Sequence, residues 1–334
     1  MRLWQQPAKP LPVLLRPVGG ETLVSYTVRL ATTNDLDRPT ILLRALGEPS
    51  RGWTQSMLAE DYDVALNNHA LRRLETFTGI PAARLQMSLP TLHADTRPST
   101  TPATRPYRCP DLREHCEHCA ARLPGHPKIR VHSLPFPLIC RRHHRWIATP
   151  PDQPHQLDIT AAPEIRAAHR RYARLLTTTG DGDWTHQQLR QATSIAMIWA
   201  SRGPLHHRIL HARWSARAAA LGSAQSPHQP SPPLVFPEAV AITEILCDLH
   251  WRRHVAMVEH HWQLNSFYRR IGQRLTQPDP WTFASAIHIT NHDPLRAWVA
   301  QHRQQHAPTR TELWQRHYRR YTLATPFPEI RHFK

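Results

Sequence analysis

The sequence predicts a mainly α-helical protein with a small, metal-stapled segment of short strands near its middle. Three observations carry that expectation. Apolar residues recur at helical spacing over much of the chain, between Pro-rich breaks. Cys116-x2-Cys119 is followed, twenty residues later, by Cys140-x2-His143. Finally, 42 Lys and Arg stand against 25 Asp and Glu, a formal net charge of +17 in 334 residues. The chain divides accordingly into an N-terminal helical module with helix-turn-helix character (1–90) and a zinc-binding segment (91–150). A helical segment (151–222), a Pro-rich linker (223–237) and a helical C-terminal part (238–334) follow, the last holding a second helix-turn-helix.

Residues 1–20 are Pro-rich and extended, ending at Gly19-Gly20. Glu21–Asn34 then reads as a helix, because Leu23, Tyr26 and Leu30 with Ala31 form one apolar stripe. Glu21 falls in its first turn, where an acidic group suits the positive helix end. Thr40–Leu46 reads as a short helix that stops at Gly47. Within 66–89, Leu71, Leu74 and Phe77 line one helix face, Gly79 takes a left-handed turn, and Pro81 opens a second helix through Leu85 and Leu89. Helix, tight turn, helix is the layout of a helix-turn-helix. On that reading Arg84 and Gln86 meet base edges while Arg72 and Arg73 meet phosphates; the alternative is a plain Gly-x-Pro corner.

Residues 91–107 read as a Thr/Pro/Arg-rich linker into the cysteine segment. Two thiols, a third thiol and an imidazole are the four ligands a closed, structural Zn(2+) site needs, and each pair fits on one turn. Cys116, Cys119, Cys140 and His143 are therefore the expected ligands. Cys109 could replace one thiolate, His144 could replace His143, and His118 sits inside the first pair. A thiol redox motif leaves Cys140 and His143 without a role, and a Cys–His nucleophile lacks a recognisable orienting Asn or Asp. Between the pairs, Ile129–Val131 and Leu134–Ile139 read as short strands broken by proline.

In the C-terminal half, Pro163–Leu176 reads as a helix with Ile165, Ala168, Tyr172 and Leu175 on one face, and 184–200 as a more buried one. His206–Leu221 is Arg/His-rich, and Ser223–Pro237 is expected to bend or hinge the chain. Glu238–Leu275 reads as one or two long helices with Trp251, Val255, Val258, Trp262 and Tyr268 as core. Cys247 reads as core too, and His250, His254, His260 and His261 as polar faces rather than ligands. Residues 281–302 fit a second helix-turn-helix, with Asn291, Arg296 and Arg303 as DNA contacts. A final helix, Thr311–Tyr321, would lay Arg316, Arg319 and Arg320 along phosphates.

The basic excess predicts a polyanionic partner, most simply double-stranded DNA. Lys9, Lys128 and Lys334 are the only lysines, so the cations are nearly all guanidinium forks suited to phosphate and guanine. A GC-rich genome would explain arginine over lysine but not the shortage of acids. The N-terminus lacks the apolar core of an export signal, and no apolar run approaches the roughly twenty residues of a membrane span. With five cysteines, the expectation is a reduced, cytoplasmic and nucleoid-associated protein without membrane contact. Asp61, Asp63, Asp111, Asp158, Asp181 and Asp183 form no recognisable two-metal constellation, and a Cys3His site leaves no open position for water. No enzymatic activity is therefore expected. A metal-dependent nuclease and a zinc-containing transcription regulator are the rival readings.

Residues 11–34 resemble the opening of the TniQ family of transposition target-selection proteins. Glu21, Ser25-Tyr26, Arg29-Leu30-Ala31 and Asn34 carry the likeness. The Thr78-Gly79-Ile80-Pro81 corner within Leu74–Leu85 is similar to the family's second helical motif, and Cys116-x2-Cys119, Leu134-Pro-Phe136 and Cys140-x2-His143 to its zinc segment. Arg141 departs from the family's usual proline, and residues 148–154 lack the second Cys pair many members carry. The resemblance covers about residues 11–147 and implies a targeting adaptor. Such an adaptor selects an insertion site, recruits an AAA+ ATPase regulator and the transposase, and self-associates as a homodimer.

Overall fold

The computed structural model describes residues 3–47, 62–93, 104–109, 112–132, 138–148, 156–202, 207–222, 230–258, 260–290 and 292–306. It divides into two units, Met1–Ala173 and Arg174–Lys334.

In the first unit, α1 (Leu23–Thr33) begins where the Thr22 side chain accepts the Ser25 N–H at 3.0 Å. Glu21 lies one residue before this cap rather than in the first turn, and it is fully buried. Its carboxylate therefore answers a buried cation, Arg29, and not the helix end. Pro39 opens α2 (Pro39–Leu46), where its missing N–H would have no partner anyway. A strand the sequence did not announce, β1 (Tyr62–Leu66), precedes α3 (Asn68–Thr78), which is capped by Asn67 and ended by Gly79 at φ 63°. Next comes α4 (Ala82–Ser88). Leu23, Leu30, Leu43, Leu46, Leu74 and Leu85 from these helices meet in one core.

The expected linker ends in a strand, β2 (Thr104–Arg108), antiparallel to β1 with Pro106 opposite Val64. A two-stranded ladder has only edges, so a residue without an N–H fits there. The metal segment holds β3 (Leu112–Glu114), α5 (Glu117–Ala120) and β4 (Arg130–His132), with β3 and β4 paired. A small sheet in the order β5 (Ile139–Cys140), β6 (Arg145–Trp146), β7 (Leu157–Asp158) follows. The Leu134–Phe136 stretch lies outside the described residues. α6 (Pro163–Thr179) buries Ile165, Ala168 and Tyr172, as the helical spacing predicted, and His169 beside them, while Leu175 is half-buried.

The second unit is helical among its described residues. α7 (Gly182–Ser201) starts where Asp181 accepts the Trp184 N–H, and α8 is Arg208–Leu221. The expected hinge is in part a helix: α9 (Pro232–Cys247) opens on Pro232-Pro233 and carries Pro237 inside it. Pro237 withholds an N–H from the ladder, and the neighbouring Leu234 carbonyl is bonded by buried Arg217. Arg217 also grips Glu238 at 2.9 and 3.1 Å, and Glu238 accepts the Trp214 indole N–H. The Glu238–Leu275 stretch, expected as one or two long helices, is divided among the end of α9, α10 (Leu249–Met257) and α11 (Asn265–Arg274). Trp262, expected in the core, lies between them and is 66 % exposed. α12 (Pro280–Ile289) and α13 (Pro294–His306) complete the unit. A side chain at Gly272 would meet Phe283 at 2.9 Å, so that glycine permits the close approach of α11 and α12. No described helix is long and apolar enough to cross a membrane.

Candidate metal centre

Two turns deliver four ligands. Cys116 stands at the start of α5, where Cys119 and Ala120 N–H groups donate to its carbonyl and fold the first pair onto one turn. Cys140 ends β5, and β6 returns with Cys140 opposite Arg145, so His143 lies in the intervening hairpin loop. His144, with φ 48°, provides the left-handed residue that closes this loop. The sequence-predicted ligands Cys116, Cys119, Cys140 and His143 converge, their ligand atoms all within 4.8 Å of one another. Nδ1 of His143 is 3.4, 3.3 and 3.7 Å from the sulfurs of Cys116, Cys119 and Cys140, and the Cys119 and Cys140 sulfurs are 3.7 Å apart. Among the described residues, no other group of three or more His, Cys, Asp or Glu side chains gathers so closely.

The electrostatics ask for a cation. Burial pushes the Cys116 thiol up and the Cys119 thiol up to about 12. Against its own burial, the Cys140 thiol is held down by the backbone N–H groups of His143 and Arg142 and by the neighbouring thiols. Gathered thiolates are thus unstable unless a metal takes their charge. His143 is held below its ordinary value by desolvation and by Arg122, His118, Arg142 and Arg145, which favours the neutral ring a metal requires.

The neighbours that could have replaced a ligand do not. Cys109 hydrogen-bonds Tyr107, His144 Nε2 is 3.1 Å from Arg166, and His118 packs obliquely beside His143. Sequence reasoning missed Gln156, whose buried amide braces the first turn. It accepts the Glu117 N–H at 3.0 Å and donates to the His115 carbonyl at 2.8 Å. Nothing in a lone glutamine nearly forty residues from its partners signals that role.

A buried polar network joins the metal segment to α1. Arg29 grips Glu21 with both arms at 2.8 and 2.7 Å, and Ser25 Oγ donates to the same carboxylate. Ser25 accepts the Arg130 N–H, Thr22 N–H donates to the Arg130 carbonyl, and Glu21 bridges Val131 on β4. Asp63 on β1, fully buried, accepts the Val24 N–H and pairs with His132 at 2.8 Å. Tyr26 and Asn34 pin the extended N-terminal segment through Leu15 and Val13.

The predicted DNA contacts separate into distinct settings. Arg72 and Arg84 are exposed and Gln86 is half-buried, while exposed Met87 protrudes from the same helix. Arg73 is buried instead, its guanidinium donating to the carbonyls of Ala45 and Gln6 at 2.7 and 2.8 Å. In the second unit, Arg296 donates to the His288 and Thr290 carbonyls and Arg303 to the Val258 carbonyl. These three arginines hold helix ends and turns. Their charge alone did not reveal it: the acceptors of Arg73 and Arg303 are carbonyls far along the chain, and those of Arg296 lie six and eight residues back, across the turn before its helix. Asn291, Arg316, Arg319 and Arg320 lie outside the described residues. Asp293, not singled out in the sequence, is buried at the α12–α13 turn, where it accepts the Trp199 indole N–H and the Leu295 N–H.

Fold and site together define a mainly helical chain whose first unit gathers a Cys3His cluster able to hold a metal ion. Residues 12–146 match the TniQ family model, so this part of the chain is similar to a family associated with transposition. The match spans the N-terminal helices and the metal segment alike. No curated protein and no solved structure matches the chain.

Proposed function

We propose that this protein is a DNA-binding targeting adaptor of a transposition system. It selects the insertion site and recruits an AAA+ ATPase regulator and the transposase, and it performs no bond chemistry of its own. The observation that carries the reading is the closed Cys3His centre inside the TniQ-matching residues. Four protein ligands fill a tetrahedral shell, which is the mark of a structural rather than a catalytic ion. Zinc is the metal the donors favour. Bonds of about 2.3 Å to sulfur and about 2.0 Å to nitrogen imply ligand–ligand edges of about 3.8 and 3.5 Å, close to the 3.3–3.7 Å separations here.

Held this way, the metal segment fixes β4, and β4 fixes the start of α1 through Glu21, Ser25 and Arg29. The helical module is thereby oriented relative to β4. Its α3–α4 corner offers Arg72, Arg84 and Gln86 to DNA, and the net charge of +17 supports steering to a polyanion. Footprinting on chromosomal and random DNA, repeated across salt concentrations, tests this. Site-specific protection is expected, together with pull-down of the ATPase. Steep salt dependence with no preferred site would instead mean phosphate contacts alone, and magnesium-dependent cleavage abolished by changing a carboxylate would replace the adaptor with a nuclease.

A further inference from the structure

In the second unit, residues of α7, α10 and α13 line a cavity of about 670 Å³. That size lies within the roughly 300–1,000 Å³ of small-ligand sites. Its lining is unlike a core gap. Five glutamine amides face it, with the rings of Trp184, Trp298 and His302 and the side chain of Arg252.

The hydrogen bonds fix which way these groups face. The Trp298 indole N–H donates to the amide oxygens of Gln188 and Gln191 at 3.2 and 3.0 Å. An indole N–H is a donor only, so both oxygens turn to it and both NH2 groups remain as donors. His302 Nε2 lies 3.3 Å from the Arg252 carbonyl. A carbonyl only accepts, so Nε2 carries the proton and Nδ1 is left as an acceptor on the neutral ring. The same ring stacks on Trp298 at 4.8 Å and 7°, and the Arg252 guanidinium lies 4.2 Å over Trp184.

Trp298 is sandwiched between His302 and Phe267, so the cavity would read a base by its edge. Two oriented donors, an acceptor and one cation match a nucleobase with its phosphate. A sugar is a poorer fit. Asp181 is the only acid in the lining, and its Oδ1 already accepts the Trp184 N–H. A duplex is too wide to enter. We propose that this cavity receives one unpaired nucleobase of a nucleic-acid strand. Gln188, Gln191 and His302 read its edge, and Arg252 supplies the charge for the neighbouring phosphate. The inference rests on the reading that the protein binds nucleic acid.

The test uses the full, metal-loaded chain and fluorescence anisotropy with three labelled probes: a short single strand, the same strand made abasic throughout, and a duplex. The abasic strand keeps the phosphates and is expected to bind about tenfold more weakly. Gln191→Ala should bring the ordinary strand down to the abasic level and leave the duplex unchanged. Gln191→Glu, which keeps an oxygen for Trp298 but removes the donors, should do the same; thermal melting checks that both variants fold. Equal binding of ordinary and abasic strands, or wild-type affinity in both variants, overturns the proposal. So would free nucleoside monophosphates binding as tightly as the strand, which would assign the cavity to a metabolite. If the duplex fails to bind while base dependence persists, it is the duplex-targeting reading that fails.

Discussion

Two neighbouring regions of the first unit hold themselves together by different means. The helical module buries a broad apolar core from α1, α2, β1, α3 and α4. Among the described residues, the metal segment gathers a small apolar cluster of Ala120, Ile129 and Val131, with Val18 and Leu123 packed against it. Its other buried apolar residues, such as Leu112, Ile139 and Trp146, sit singly on short strands. Its strands are two or three residues long, too short to be stable alone. The difference teaches where the ion acts. On the proposed reading, metal binding supplies folding free energy to the segment with the smaller core, while the module is stabilised by burial. The Glu21–Arg29 network couples the two.

The largest expected effect follows from removing a ligand. Cys119→Ser should lose the metal and unfold the segment around residues 112–158, leaving the helical module standing; far-ultraviolet circular dichroism and limited proteolysis would show the split. Loss of all helical signal would instead make the two regions one cooperative unit. Glu21→Ala comes next, because it strands a buried guanidinium, and about 3–5 kcal/mol should be lost in urea unfolding. Leu74→Ala should cost about 2–5 kcal/mol by opening a cavity in the module core while metal content stays unchanged.

A smaller effect comes from pH. Burial, with Arg141 and Arg113 nearby, pulls His169 down to about 4 from the ordinary 6.5. Between those values the unfolded chain binds a proton that the folded chain refuses. Stability is therefore full above about pH 6.5 and falls as pH drops toward 4, by at most about 1.4 kcal/mol per unit from this group. His169→Gln should flatten that slope in denaturant titrations. The smallest effect on stability is at exposed Arg84, where Arg84→Ala should leave the melting temperature unchanged and weaken DNA binding. Unaltered affinity would remove α4 from the interface.

The sequence was legible where a local pattern decided the structure. The α1 stripe, the Gly79 turn between α3 and α4, and the paired Cys/His ligands all depend on residues within a few positions of one another. It was opaque where distant groups decided. β1 and β2 pair across about forty residues, and Pro106 disguised the second strand as linker. Arg73 and Arg303 have the composition of DNA contacts but spend their donors on remote carbonyls. The motif that resembled a family, Glu21–Ser25–Tyr26–Arg29–Asn34, was visible as a pattern. That it is the buried junction of helix, N-terminal segment and β4 required the fold.

The account stands on one ion closing the Cys3His centre. Elemental analysis of the natively purified, reduced protein, before and after a strong chelator, measures this most directly. One zinc per chain is expected, and its removal should expose the 112–158 segment to protease while the helical module resists. A metal-free protein whose segment is equally protected would contradict it.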